Sequence, residues 1–96
     1  MTSDLPPPVQ LRLYIAGQAA QSLRAVANMH RICTDVLAGK YELLIIDLYQ
    51  QPHLAKSEQI FAIPALIKHW PLPKRMVIGD MSDTQRVLDG LAIVSA

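Results

Sequence analysis

Residues 11–28 read LRLYIAGQAAQSLRAVAN, a strand that hands over directly to a helix. Leu11, Leu13 and Ile15 alternate on one face, with Arg12 and Tyr14 on the other, the period of a half-buried strand. The strand is expected over Val9 to Ile15 and ends at Ala16-Gly17. A helix is expected from Ala19 to Ala38, with Leu23, Val26, Met29/His30, Cys33 and Val36/Leu37 on its apolar face and Gly39 as a left-handed stop. Next comes YELLIIDL, residues 41–48. Its unbroken apolar run from Leu43 to Ile46 suggests a strand covered on both faces, hence central and parallel. Strand, crossover helix and strand in this order predict a right-handed βαβ unit.

The rest of the chain is less strongly patterned. Residues 50–62, QQPHLAKSEQIFA, hold at most a short helix with Pro52 near its first turn. Ile63-Pro64 leads into ALIKHW, residues 65–70, and the turn Pro71-Leu72-Pro73 joins this to KRMVIG, residues 74–79. Two short strands linked by a proline turn predict a hairpin. A last helix follows, with Ser82 as N-cap and Gln85 completing a capping box. Val87, Leu88, Leu91 and Val94 form its buried face. Gly90 lies inside it at a cost of about 1 kcal/mol relative to alanine.

The resulting order, β-α-β-α-β-β-α, is that of the thioredoxin-like fold. In that fold the first strand-to-helix junction carries a reactive Cys-x-x-Cys, because a helix N-terminus stabilises a thiolate. Here the junction reads Gln18, Ala19, Ala20, Gln21, Ser22, without sulfur. The architecture points to a redox domain and the chemistry does not, which favours binding over catalysis. Ile63-Pro64 stands where such folds place a cis-proline; the alternative is an ordinary trans proline opening a strand.

Composition narrows the function classes. A chain of 96 residues, 51% of them hydrophobic, makes one domain. Residues 1–8 read as an extended proline-rich lead-in and 9–96 as the domain. The 9 basic residues are scattered and the net charge is +1, which argues against a nucleic-acid partner. No apolar run approaches the ~20 residues that span a bilayer, and the start of the chain lacks the features of a signal peptide. A single cysteine, Cys33, fits a reducing cytoplasm. On the apolar helix face it is expected to be a small buried hydrophobe rather than a regulatory thiol.

No metal or other cofactor is expected. His30, expected half-buried, and His53 and His69, expected at surfaces, match no local ligand spacing. Asp47 and Asp80 end strands and are expected to serve in strand-end solvation and capping rather than as a catalytic pair. Tyr14, Tyr41, Tyr49 and Trp70 are either interface anchors or packing at the edge of a small core.

Several stretches carry a family resemblance: LYIAG (13–17), Ser22-Leu23-Arg24-Ala25, YELLIIDLYQQPHLA (41–55), Ile63-Pro64-Ala65-Leu66, PLPKRMVIGDMSD (71–83) and VLDGL (87–91). In this order they cover nearly the whole chain, and the sequence resembles the KaiB family of bacterial clock and clock-like proteins. The resemblance implies a non-enzymatic regulator, cytoplasmic, in a circadian or stress-response system, whose partner is a KaiC-type ATPase. It also implies two folds for the C-terminal half: the thioredoxin-like order, and a homo-oligomeric (dimeric or tetrameric) ground state of order βαββααβ on the same N-terminal βαβ. Carried over by position, the partner-binding residues are Tyr41, Glu42, Leu44, Lys56 and Gln59, the last standing where relatives often have lysine. Pro64, Gly90 and Ala92 are the positions tied to fold switching. Ala92 replaces an acidic residue usual in clock members, and the acidic tail those members often carry is missing.

Two other readings compete. Ile63-Pro64-Ala65-Leu66 resembles the proline motif of glutathione transferase N-terminal domains, and Asp80 with Ser82 imitates their γ-glutamyl binder. That reading makes the chain a glutathione- or thiol-handling enzyme, although Ser22 is a weak nucleophile without a neighbouring base. The other reading is a free-standing twin of the sensor domain of KaiB-like histidine kinases, held in the thioredoxin-like form.

Overall fold

The computed structural model describes residues 8–93. Its elements run β1 (Val9–Ile15), α1 (Ala20–Asp35), β2 (Tyr41–Asp47), α2 (His53–Ser57), β3 (Ala65–Trp70), β4 (Arg75–Ile78) and α3 (Thr84–Gly90). This is the thioredoxin-like order, not βαββααβ. The Ile63–Pro64 bond is cis, as are both bonds into the prolines of the hairpin turn.

The four strands lie in the order β2-β1-β3-β4. β2 pairs parallel with β1, while β3 pairs antiparallel with β1 and with β4. β2 is therefore an edge strand, which corrects the expectation of a central one. Its apolar run is only partly used: Ile46 is buried, Leu43 and Ile45 are half-buried, and Leu44 is 55% exposed. The crossover brings β2 into the sheet parallel to β1, here directly beside it, but does not require a strand on its far side. The central position goes to β1, whose Leu11, Leu13 and Tyr14 are buried.

Because successive strand residues point to opposite faces, the sheet builds two cores. On one face, α1 and α3 cover Leu11, Leu13 and Leu66 with Ala25, Met29, Ile32, Cys33, Val87, Leu88 and Leu91. On the other, the short α2 and the loop after it cover Tyr14, Ile46, Ala65 and Ile67 with Leu48, Ile60, Leu54 and Ala55. Tyr14 is thus a core residue, not an interface anchor, and its hydroxyl meets no partner among the described residues.

Helix α1 ends at Asp35, earlier than expected, and buries Ser22, Ala25, Met29, Ile32 and Cys33. The stripe is rotated from the expected one: Leu23 is 47% exposed and His30 lies at the surface. Small residues at positions 22 and 25 let the helix sit close to the sheet, which carries Leu23 outward. Gly39 takes the expected positive φ of +82°, preceded by Ala38 at +49°.

Helix α3 is capped by Asp83, not Ser82. The Asp83 carboxylate accepts from Arg86 N at 3.1 Å, and Gln85 donates instead to Asp89 at 2.8 Å. A carboxylate at the N-cap gains the helix dipole as well as the hydrogen bond. Gly90 is the last helical residue rather than an interior one. The helix then closes with Ala92 N donating to Asp89 O and Ile93 N to Leu88 O, a Schellman pattern that puts Ala92 at φ +56°. The expected burial of Val94 and the lead-in over residues 1–7 lie outside the described residues.

Candidate functional site

The β1–α1 junction is occupied by hydrogen bonds, not by reactive groups. Ser22 is 1% exposed, and its Oγ accepts from Ala16 N at 3.1 Å. Asp47 Oδ1 accepts from Gly17 N at 3.1 Å and Tyr49 N at 2.9 Å, tying the ends of β1 and β2 together. Gly17 has φ +53°, and a Cβ there would come within 2.9 Å of the Tyr49 ring. The residues that could have been read as a nucleophile and a carboxylate therefore hold the turn.

Cys33 is fully buried in the α1 face, and burial pushes its thiol up to about 11. It is protonated and inert at neutral pH. Among the described residues no His, Cys, Asp and Glu groups gather as a metal site. The groove beside the junction, about 240 Å³, is lined in part by Gln21, Asp80 and Ser82. Asp80, however, already accepts from Ser82 N at 3.1 Å and faces Arg24 Nε at 3.5 Å. The Ser82 hydrogen bonds, first, and Arg24 hold its carboxyl below the usual range.

The α2 face offers a different kind of surface. A helix of 5 residues covers only the end of the sheet that carries Tyr14, Ile46 and Ala65. Beyond it, Gln10 lies beside Glu42 and Arg12 beside Leu44 in the β1–β2 register, and all four are exposed. A shallow groove of about 360 Å³ runs along this half, lined by Gln10, Leu11, Arg12, Glu42, Leu43 and Leu44. Glu58, just past α2, bridges Arg12 at 3.8 Å and Lys74 at 3.3 Å and forms the rim between helix and sheet.

His69 completes that rim. The β1–β3 register slips between Gln10 and Leu11, which leaves His69 as an extra residue with its Nε2 buried and unpartnered among the described residues. Burial, then Arg12 and Lys74, lower its pKa. Its neighbour Lys68 is buried on the closed face, 1% exposed, where burial and then Arg75 lower its pKa. The sequence places His69 at a surface, whereas the bulge turns its ring half-inward, and it gives Lys68 no role. Both signals depend on the bulge and on which strand lies opposite, and neither shows in a local pattern.

Of the residues carried over from the family, Glu42 and Leu44 share the uncovered half of the α2 face. Lys56 on α2 and Gln59, at φ +58° after it, are exposed on the same side of the sheet. Tyr41 is not with them: it packs half-buried against the α1 core. Pro64 is buried at the start of β3, while Gly90 and Ala92 lie at the far end of α3.

Comparison with known proteins agrees with this architecture. The KaiB domain model matches residues 12–93. The chain belongs to the KaiB family. It is 48% identical to the circadian clock protein KaiB3 of a Synechocystis species over 86 residues, 90% of this chain and 84% of that one. It is 43% identical to a circadian clock oscillator protein KaiB of Prochlorococcus marinus over 84 residues, 88% of this chain and 74% of the other. Among solved structures, the N-terminal domain of Synechococcus elongatus SasA superposes with a TM-score of 0.75 at 23% identity, covering 96% of this chain and 90% of that one. Fasciola hepatica thioredoxin gives 0.70 at 9% identity, covering 88% and 82%. These two likenesses establish the thioredoxin-like fold. Within the KaiB family, this chain keeps the thioredoxin-like scaffold with a sulfur-free junction. No helix among the described residues is long and apolar enough to cross a membrane.

Proposed function

We propose that this chain is a non-enzymatic, cytoplasmic clock or stress-response regulator that docks on a KaiC-type ATPase. The docking face is the uncovered half of the sheet on the α2 side. Leu44 anchors it, Glu42 flanks the anchor, and Lys56 and Gln59 contribute from α2 and its following turn. Tyr41 acts from beneath, by setting the end of β2 against α1. The single observation that carries this reading is Leu44, a large apolar side chain in mid-strand left 55% exposed where a longer second helix would have covered it. Exposed apolar anchors ringed by polar groups are what a protein partner buries. Relatives named as clock proteins supply the biological setting. In the same reading Pro64, Gly90 and Ala92 belong to an equilibrium with a homo-oligomeric second fold, and a partner that selects the thioredoxin-like form draws the population towards it.

The test is a pull-down from the source cell probed for a RecA-like ATPase, followed by affinity measurement. Leu44→Asp is expected to weaken binding about tenfold or more, and Leu23→Asp, on α1, to leave it unchanged. Equal loss in both variants, or tight saturable glutathione binding by the parent chain, overturns the reading.

A further inference from the structure

The second edge of the sheet carries a surface that this docking face does not use. Gly79 N donates to Pro64 O at 3.0 Å, which makes Pro64–Gly79 a hydrogen-bonded pair. Pairs alternate along an antiparallel ladder. From the register Ala65↔Ile78, Leu66↔Val77, Ile67↔Met76, Lys68↔Arg75, Val77 and Arg75 spend their backbone groups on β3. Met76 and Ile78 therefore turn N–H and C=O outward along an edge that no other strand occupies among the described residues.

The side chains divide by the same alternation. Met76 and Ile78 fall on the α2 face, and Ile78 is 38% exposed. Phe61, 86% exposed, lines the same groove of about 420 Å³ with Met76, Val77, Ile78, Arg86 and Gly90. Arg75 falls on the opposite face, the one α3 covers, and Arg86 stands on α3. Both are exposed, and neither guanidinium has a carboxylate within 4.0 Å among the described residues. The apolar groove along this edge is thus flanked by two arginines free of close carboxylates among the described residues, Arg86 at its wall and Arg75 on the α3 side, while Asp80 and Asp83 line only the far groove past Gly79.

We propose that the β4 edge binds an extended partner segment in which apolar and acidic residues alternate, added as a fifth strand. Its main chain pairs with Met76 and Ile78, its apolar side chains cover Phe61 and Ile78, and its carboxylates meet Arg75 and Arg86. Strand addition of this kind takes affinity from main-chain hydrogen bonds and selectivity from alternate side chains. A second copy of this chain is the poorer occupant, because antiparallel pairing of two β4 edges gathers four arginines, Arg75 and Arg86 from each copy, along one seam. The proposal stands independently of the ATPase reading, since Glu42, Leu44, Lys56 and Gln59 lie outside this edge.

Fluorescence anisotropy of a labelled eight-residue peptide, (Val-Glu)4, with the full chain tests it. Saturable binding is expected, weakening with salt, with amide shifts at Met76 and Ile78. Arg75→Glu/Arg86→Glu is expected to weaken binding about tenfold or more, and Leu44→Asp to leave it unchanged. A (Val-Glu)4 peptide methylated at alternate backbone nitrogens, in the register facing Met76 and Ile78, is expected to lose binding without any change to the protein. Absence of saturable binding, equal binding of (Val-Lys)4, amide shifts confined to β2, or self-association of the chain through β4 overturns the proposal.

Discussion

The two faces of this sheet are finished to different degrees. The α1–α3 face is closed: two helices lay a continuous apolar layer over Leu11, Leu13 and Leu66, and even Lys68 is drawn under cover. On the α2 face a single short helix stops part-way, leaving Arg12, Glu42 and Leu44 in solvent and, beneath, a tyrosine hydroxyl without a partner among the described residues. The closed face holds the larger apolar core and is expected to supply most of the domain's stability. The half-open face holds the smaller core and leaves Leu44 exposed, so it is expected to contribute less to folding.

Four measurements break or sharpen this contrast. The largest effect belongs to the closed face: Leu13→Ala, at a fully buried position, is expected to cost about 3 kcal/mol in denaturant unfolding. A loss near zero would mean that this face is not the stabilising one. The next is alkaline. Cys33 has its thiol raised from 9.0 to about 11 by burial, so the unfolded chain loses that proton first. Its stabilising contribution is full below pH 9 and disappears as pH rises towards 11. The stability difference between the parent and Cys33→Ala is expected to shrink across that window.

The third is acidic and belongs to the half-open face. His69 is held below its ordinary value of 6.5 by burial, Arg12 and Lys74. The unfolded chain therefore takes up a proton that the folded one resists, and stability present above pH 6.5 is lost as pH falls. His69→Gln is expected to flatten that part of the profile, and an unchanged slope would remove His69 from the rim. The smallest effect is Leu44→Ser, expected to move stability by no more than about 0.5 kcal/mol. A large loss there would make Leu44 a folding residue and weaken its claim as an anchor.

Much of this was legible in the chain. The alternation of LRLYI places β1 at its observed bounds, and the proline turn marks the β3–β4 hairpin. What failed did so for identifiable reasons. The run LLII suggests a doubly covered strand, yet an apolar run records only how much surface a strand offers, not whether a neighbour arrives to cover it. Leu23 counted towards the apolar stripe of α1, but the small residues at 22 and 25 set the contact face. Ser82 fits a capping box aimed at Gln85 N, but the helix starts one residue later, where the Asp83 carboxylate accepts from Arg86 N and adds a charge that the helix N-terminus favours. The candidate site followed the same course: Glu42, Leu44, Lys56 and Gln59 came from family resemblance and share one side of the sheet, while Tyr41 packs on the other.

The amino-acid order by itself determined the succession of elements, the parallel βαβ start, the sulfur-free makeup of the junction and the family. Those are local or compositional properties, set by periodicity of 2 or 3.6 residues and by which atoms are present. Only the tertiary structure decided that β2 is an edge, that Tyr14 and Lys68 are buried, that His69 sits in a bulge and that Leu44 stands uncovered. Each of these depends on which distant segment lies opposite, and a short α2 leaves that question to the geometry of the whole sheet.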